Sequence, residues 1–412
     1  MKRSTWMLIA AAGGLMLQTV PSAKAQDWPQ WRGANRDAKA TGFVAPKEWP
    51  KELTKKWQVV VGDGVATPAL VGDKLYVFAR QGSDEIIRCL AVADGKELWK
   101  DGYAARAVRG AAGSFPGPRS SPTVAAGKVV TIGVEGTLSC LDADDGKLLW
   151  RKTSTGGVPR FATSSSPIVV KGLGIAQVGG EQGGAIAAYD LATGAEKWKW
   201  TGDGAAYASP VVTNINGAQV VIAETARNIV ALDAADGKLL WQTPYAVSGR
   251  GYNASDPVIA GDTLVYSGSG RGTKAVQIEK AGDKLTAKEL WSSGGNSVQF
   301  NTPIVKDGLV FGLSANDTVF CIKVEDGQTA WTAPLVGRGG RLRGYGSIVD
   351  AGPVLVALNP SGTLVVFEPS GQEFKKLASY KVSDEETFAY PVLSGNRVII
   401  KDQNTVTLFT VE

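Results

Sequence analysis

The residues of this chain best suited to recognition are arginines and aromatic residues in segments that separate recurring tryptophans from recurring prolines. A guanidinium group holds a carboxylate or phosphate through two parallel hydrogen bonds, and a Tyr or Phe ring offers a rigid stacking surface. We therefore predict a rim that binds an anionic peptide, a polysaccharide acid or an aromatic molecule. Its candidate residues are Arg106, Arg109, Phe115, Arg119, Arg160, Phe161, Tyr207, Arg250, Tyr252, Asp256, Phe300, Arg341, Arg343, Tyr345 and Phe388.

A second interpretation of these segments stays open. Loop arginines are often solvated, and the aromatic rings can pack beneath their own loops. Acidic residues in the same segments neutralise part of the charge, and they are Asp63, Asp101, Asp203, Glu385 and Glu386. Asp256 is a separate case because it places a carboxylate where other repeats have Ser or Thr. It either caps a turn or pairs with a cation or an arginine.

The chain contains no histidine. This excludes Ser-His-Asp and Cys-His relays and His-ligated zinc or copper sites. The three cysteines, Cys89, Cys140 and Cys321, each stand six residues before a repeated glycine. Equivalent positions of different repeats lie too far apart for a disulfide bond, so we predict three buried free thiols.

A repeat of fixed length carries these segments. The phrase ADGKELW ends at Trp99, and variants of it end at the tryptophans in positions 150, 198, 241 and 331. A Ser, Thr or Asp followed by Pro opens each unit, and the prolines in positions 68, 122, 167, 210, 257 and 303 are 54, 45, 43, 47 and 46 residues apart. That is the length of one four-stranded propeller blade. Two further units follow, whose sequences match the repeat less closely, and they bring the count to eight.

We therefore predict an all-β fold, an eight-bladed β-propeller of four-stranded antiparallel blades. The eighth unit ends at its third strand, whereas an unpaired outer-strand sequence around Trp57 precedes the first unit. Pairing of these two segments would close the ring and leave no open sheet edge at the seam. We expect the outer-strand tryptophans to dock each blade on its neighbour, and these are Trp57, Trp99, Trp150, Trp198, Trp241, Trp291 and Trp331.

The N-terminal residues are of a different kind. Lys2 and Arg3 precede an apolar run, and Ala23-Lys24-Ala25 fits a signal-peptidase site, so residues 1–25 are predicted to be a signal peptide. A retained membrane anchor is the alternative. We assign 26–51 to an N-terminal extension and 52–412 to a single propeller domain. The protein is then periplasmic or secreted, and it is not a lipoprotein because no Cys stands at the cleavage point.

The charge of the chain also changes with cleavage. The formal net charge of +5 falls to +2 when Lys2, Arg3 and Lys24 are removed. This balance favours neither nucleic acid nor an anionic membrane as a partner. We expect a monomer with no membrane span after cleavage.

The repeat, with its Asp/Thr-Gly-x-x-x-Trp ending, resembles the pyrroloquinoline-quinone-type propeller repeat. The segment DWPQWRGANRDA is similar to the start of a group of exported bacterial propeller proteins. The resemblance spans essentially the whole mature chain and implies the fold. It leaves activity open, because quinoprotein dehydrogenases and the non-catalytic outer-membrane assembly factor BamB share this repeat.

The resemblance implies features of the large quinoprotein dehydrogenases that can be sought here. They have long insertions, an adjacent Cys-Cys disulfide over the quinone, and a metal held by Glu, Asn and Asp. This chain has no Cys-Cys pair, and Asn253 with Asp256 is its nearest match to the metal ligands. We therefore predict a non-catalytic exported scaffold without a cofactor, which binds a protein, peptide or glycan. The alternative is a small oxidoreductase that uses pyrroloquinoline quinone with calcium, or another cofactor.

Overall fold

Each repeat folds into one blade because it contains four short apolar runs separated by turn residues. In the second repeat these runs are Thr123–Ala125, Lys128–Ile132, Thr137–Asp142 and Leu148–Thr153, and neighbouring runs pair antiparallel. β-Branched residues dominate the run Lys128–Ile132, and such residues suit a pleated, buried surface. The computed structural model describes residues 27–154, 156–215, 217–247, 251–282, 284–316, 318–335 and 344–412.

Some predictions lie outside the described residues. These are the signal peptide and the rim residues Arg250, Arg341 and Arg343.

Within the described ranges, eight four-stranded sheets contain 32 strands, which we number in chain order. Blades 1 to 4 contain β2 (Ala69–Val71), β3 (Lys74–Gln81), β4 (Asp84–Ala91), β5 (Glu97–Ala104); β6 (Thr123–Ala125), β7 (Lys128–Ile132), β8 (Thr137–Asp142), β9 (Leu148–Thr153); β10 (Ile168–Val170), β11 (Leu173–Val178), β12 (Ala185–Asp190), β13 (Glu196–Trp200); and β14 (Val211–Ile215), β15 (Ala218–Glu224), β16 (Asn228–Asp233), β17 (Leu239–Pro244).

Blades 5 to 8 contain β18 (Val258–Ala260), β19 (Thr263–Gly268), β20 (Gly272–Ala281), β21 (Lys284–Ser293); β22 (Ile304–Lys306), β23 (Leu309–Leu313), β24 (Thr318–Lys323), β25 (Thr329–Pro334); β26 (Ser347–Asp350), β27 (Leu355–Asn359), β28 (Thr363–Phe367), β29 (Lys376–Lys381); and β30 (Val392–Ser394), β31 (Arg397–Lys401), β32 (Thr405–Thr410) with β1 (Thr54–Val60). One short 3-10 helix, Gly110–Ala112, lies before blade 2.

The predicted closure of the ring is confirmed. Strand β1 pairs antiparallel with β32, in a register that runs from Thr54 opposite Thr410 to Val60 opposite Thr405. A bulge between Lys55 and Trp57 interrupts that register once. The eighth blade is thus built from both ends of the propeller sequence, and the fold is the eight-bladed propeller that the repeat predicts.

The Gly-x-x-x-Trp phrase works across the gap between blades. Gly146 adopts a φ of +74°, and a Cβ added there would lie 2.5 Å from the indole of Trp99 in the preceding blade. The Trp99 indole N–H donates to the carbonyl of Ala143, at 3.2 Å. The same bond to the next blade joins Trp57 to Val92, Trp150 to Leu191, Trp198 to Ala234, Trp291 to Val324 and Trp331 to Ser370.

Trp241 faces a different neighbour. In blade 5 the hairpin of β20 and β21 is lengthened to ten residues on each side, and Trp241 packs beside the apolar cluster between blades 4 and 5. The Gly-x-x-x-Trp phrase therefore packs each blade on its neighbour, because its glycine leaves room for the flat face of the neighbouring indole.

The apolar core lies between blades and within them. Cys89, Cys140 and Cys321 are buried in it as free thiols, as predicted. Burial raises the pKa of each thiol to about 12. Among the described residues there is no helix with the length and apolar character needed to cross a membrane.

Candidate binding site at the channel mouth

A belt of hydrogen bonds surrounds the channel where the inner strands begin. In each bond the residue before the inner-strand Pro donates its backbone N–H to the side chain of its equivalent in the next blade. The donor and acceptor pairs are Thr67 to Ser121, Ser121 to Ser166, Ser166 to Ser209, Ser209 to Asp256 and Asp256 to Thr302, at 2.6 to 3.0 Å. Tyr390 of blade 8 donates back to Thr67. The residue before the inner-strand Pro therefore links its blade to the next one by a hydrogen bond.

Asp256 occupies one position of this belt and does more than a hydroxyl could. One carboxylate oxygen accepts the N–H of Ser209, and the other accepts the indole N–H of Trp31 at 2.6 Å. The guanidinium of Arg32 lies 3.9 Å away. Burial raises the pKa of Asp256, and Arg32 opposes that rise. The side chain is only 2% exposed, so its position is that of an internal anchor.

Trp31 and Arg32 belong to the axial segment, residues 27–44, which crosses the far side of the channel. Its backbone pairs with Leu70 of blade 1, Val124 of blade 2, Asp350 of blade 7 and Gly395 of blade 8. These contact points lie in the middle or at the far end of the inner strands. The axial segment therefore extends from the far end of the channel up to the belt, a role that the sequence analysis did not predict.

Two buried arginines of the axial segment reach the remaining blades. The Arg32 guanidinium donates to the carbonyl of Pro303 at 2.8 Å, in blade 6. The Arg36 guanidinium donates to the carbonyls of Ser166, Pro167 and Pro210, in blades 3 and 4. Burial lowers the pKa of Arg36 to about 9, and the nearby Asp256 opposes that fall. Together with Asp256 in blade 5, these bonds tie the segment to all eight blades.

Above the belt lie seven aromatic side chains, the mouth aromatics, which come from the loops before seven different inner strands. They form one continuous set of ring contacts: Phe115 with Phe388, Phe388 with Tyr345, Tyr345 with Phe300, Phe300 with Tyr252, Tyr252 with Phe161 and Tyr207, and Phe161 with Tyr207. Every one of these rings is half-buried. All seven are residues of the predicted rim.

The geometry of the contacts varies around the mouth. Tyr252, Phe300 and Tyr345 form a stacked column, with centroid distances of 5.3 and 4.0 Å and interplanar angles of 18° and 8°. The Phe388 ring meets Tyr345 at 81°. Offset-stacked and edge-on arrangements are the two that aromatic rings prefer.

Arg119 is the charged side chain that reaches in among these rings. It stands two residues before Ser121 and is half-buried. Its guanidinium donates to the carbonyl of Ala112 at 2.8 Å and weakly to that of Gly117 at 3.5 Å, both in its own loop. Burial lowers the pKa of Arg119, and Tyr345, from the opposite side of the ring, is among the groups that oppose that fall.

The remaining predicted arginines lie at the edge of the mouth. Arg106 is exposed and pairs with Glu135. Arg160 is exposed, with its guanidinium 5.2 Å from the centre of the Phe161 ring, and Arg109 is exposed. The structure brings the seven aromatic residues of the predicted rim into contact with each other, whereas Arg106, Arg109 and Arg160 lie outside that set, and binding at the rim stays a prediction.

Calcium does not fit the pair Asn253 and Asp256. Both oxygens of Asp256 already accept hydrogen bonds, and the nearby Arg32 guanidinium would repel a cation. The Asn253 amide N–H₂ group donates to Thr225 and Tyr245. Glu181 accepts the hydroxyl of Tyr207 at 2.7 Å. In the described ranges, no three His, Cys, Asp or Glu residues gather as metal ligands.

One buried carboxylate has no such partners. Glu224 is fully buried at the end of β15, and no protein atom in the described part of the chain hydrogen-bonds to either of its oxygens. Burial raises the pKa of Glu224 well above the ordinary value of 4.5, and Arg271 opposes that rise. Glu224 ends a strand whose other residues are mostly apolar.

Comparisons with known proteins agree with this architecture. A family model described as outer membrane protein assembly factor BamB matches residues 83–333 and 254–411. BamB of Yersinia pestis is 26% identical over 261 residues, which cover 57% of this chain and 62% of that protein. The alignment thus spans less than two thirds of that relative.

Two solved structures share the fold. BamB from Moraxella catarrhalis superposes with a TM-score of 0.64 at 16% identity, over 87% of this chain and 97% of that one. Quinohemoprotein alcohol dehydrogenase from Comamonas testosteroni gives a TM-score of 0.66 at 17% identity, over 95% and 81%. At these identities the likeness concerns the fold alone. The family model covers most of the sequence, so the chain belongs to the propeller family described as outer membrane protein assembly factor BamB.

Proposed function

We propose that this protein is an exported, non-catalytic scaffold that binds a protein partner at the channel mouth, in the assembly of outer membrane proteins. The observation that carries the proposal is the set of seven half-buried aromatic rings around Arg119. The repeat needs none of these residues for packing its blades. Large aromatic side chains and arginine are also the residues that dominate binding energy at protein interfaces.

Membership of the BamB family supports the cellular setting of this proposal. A periplasmic location is proposed with it. The closed far end of the channel also favours a scaffold, because the axial segment and the belt use their polar groups on each other.

A photo-crosslinking amino acid placed at Phe388 in the producing cell tests the proposal. We expect an adduct with a component of outer membrane protein assembly, identified by mass spectrometry. The matched control is the same amino acid at Leu149, which is exposed on outer strand β9. An adduct at Leu149 with none at Phe388 would place the partner site elsewhere and overturn the proposal.

Reconstitution separates the scaffold from the quinoprotein alternative. The purified protein is mixed with pyrroloquinoline quinone and calcium, and absorption and dye-linked alcohol oxidation are measured. We expect neither a bound quinone band nor oxidation, because Asp256 is engaged by Trp31 and Arg32. A band accompanied by turnover would contradict the scaffold proposal.

A further inference from the structure

The channel is filled directly below the mouth aromatics. At the level of the belt, Trp31 meets Tyr390 edge-on with ring centroids 4.9 Å apart. Arg32 and Arg36 fill the axis beneath, bonded to inner-strand carbonyls. A ligand therefore reaches the mouth aromatics from the loop side. A chain end or a turn of polypeptide suits this geometry better than a strand threaded through the ring.

The mouth aromatics are suited to contact with an aromatic side chain. The stacked column of Tyr252, Phe300 and Tyr345 lies on one side, and Phe388 with Phe115 continues it edge-on. An entering ring can stack on the column or meet the edges. Each such aromatic pair adds affinity beyond the area that it buries.

Arg119 adds a positive charge to the surface formed by the mouth aromatics. Among the described residues no carboxylate lies within salt-bridge distance of its guanidinium, whereas Arg32, Arg106 and Arg227 each have one. Its recorded hydrogen bonds reach only carbonyls of its own loop. A half-buried guanidinium gains most from a carboxylate, which it binds through charge-assisted hydrogen bonds.

We propose that the mouth binds a polypeptide segment in which an aromatic side chain lies next to a carboxylate, with the ring among the mouth aromatics and the carboxylate on Arg119. This inference rests on the proposed function, since it specifies the chemistry of the partner segment. The complementarity is local: one guanidinium that is bonded to carbonyls of its own loop selects one negative group beside one ring.

Labelled heptapeptides test the inference by fluorescence polarisation. The probe is Gly-Ser-Phe-Asp-Phe-Gly-Ser, and its matched peptides replace Asp with Asn or both Phe with Leu. We expect the wild-type protein to bind the probe about tenfold more tightly than the Asn peptide, since a hydrogen bond to a charged group contributes roughly 1.5 kcal/mol or more. The Leu peptide should also bind about tenfold more weakly.

Variants assign these preferences to residues. Arg119→Gln should remove the preference for Asp over Asn, and Arg119→Lys should keep part of it. Arg151→Gln is the matched control, because that guanidinium lies on outer strand β9 over the Tyr103 ring. It should leave both preferences unchanged. If Arg119→Gln fails to fold, the ratio of the affinities of the wild-type protein for the Asp and Asn peptides still tests the inference.

The outcomes that overturn the inference differ from those that overturn the proposed function. Equal affinity for the Asp and Asn peptides, no binding of any peptide, or tighter binding of an oligogalacturonate than of the probe would each refute it. An adduct at Phe388 would in that case still support a scaffold with a different partner segment. An adduct at Leu149 with none at Phe388 would refute the scaffold proposal itself.

Discussion

Two levels along the propeller axis carry arginine, and they differ in what their guanidinium groups contact. At the closed end, Arg32 and Arg36 are buried and donate to carbonyls of blades 3, 4 and 6. At the mouth, Arg119 is half-buried, and its guanidinium donates hydrogen bonds to carbonyls of its own loop. Because a buried polar group is costly unless it is paired, bonds that reach the carbonyls of other blades indicate a structural role for Arg32 and Arg36, whereas Arg119 makes no such bond between blades. Arginines of one chain can thus be sorted by their partners.

The closed end also holds unusual backbone geometry. Arg32, Arg36 and Ala38 all adopt positive φ angles of 58° to 59°. Residues other than glycine persist there only when their surroundings fix them. The three carbonyl partners of Arg36 provide such fixation, and they belong to blades 3 and 4, whereas the carbonyl partners of Arg119 belong to its own loop.

Arg36→Met should have the largest effect on stability. The substitution leaves the carbonyls of Ser166, Pro167 and Pro210 without their donor in a buried place. We expect the free energy of unfolding, measured in urea, to fall by about 3–5 kcal/mol. Arg109→Met, at an exposed arginine of the mouth, is the control and should change it by less than about 0.5 kcal/mol. Similar losses for both variants would contradict the contrast between the two levels.

Asp256→Ser tests whether the belt or the axial segment requires the carboxylate. Serine can still accept the N–H of Ser209, as serines do elsewhere in the belt, but it leaves Trp31 and Arg32 without their partner. We expect a loss of about 2 kcal/mol by urea denaturation. Asp256→Asn should lose less, since its amide oxygen can serve Trp31. An unchanged stability for the Ser variant would show that the anchor is dispensable.

Glu224→Gln should change the pH dependence of stability. Because burial raises the folded-state pKa, the folded protein holds this proton more tightly than the unfolded chain. Stability therefore falls as pH rises above 4.5, by about 1.4 kcal/mol per unit until the folded-state pKa is reached. Urea denaturation between pH 5 and 8 should show a flatter profile for the Gln variant than for the wild type. Glu196→Gln, on exposed strand β13, should keep the wild-type profile; if Glu224→Gln kept it as well, the assignment would be wrong.

Phe300→Ala should have the smallest effect on stability and a large effect on binding. The ring is half-buried and stacks on Tyr252 and Tyr345, so its removal should cost about 1 kcal/mol. The affinity for the aromatic-acidic peptide should fall by more than about tenfold, because the stacked column is broken. A large loss of stability with unchanged peptide affinity would assign the mouth aromatics to packing alone.

The repeat made most of the fold predictable. The spacing of the Ser/Thr-Pro steps and of the Gly-x-x-x-Trp phrases predicted eight blades, and the missing outer strand of the last unit predicted the pairing of β1 with β32. Both follow from local pattern, since each blade contacts only its neighbours. The mouth aromatics were also predictable, because they stand where the loops depart from the repeat.

The closed end was not predictable in this way. The carbonyl partners of Arg36 stand 130 to 174 residues away in sequence, and a carbonyl has no residue type that marks it as a target. The burial of Glu224 is likewise a property of two packed blades. Sequence pattern shows which residues break a repeat, but it does not show which distant backbone group an arginine will contact.

The most direct test of the account compares partner capture with thermal stability in the double variant Arg119→Gln with Phe388→Ala. The partner is the protein that crosslinks at position 388. We predict that capture of this partner is lost while the melting temperature stays within about 3 °C of the wild type. Intact capture, or a fall in melting temperature as large as that of Arg36→Met, would contradict the assignment of binding to the mouth and of structure to the closed end.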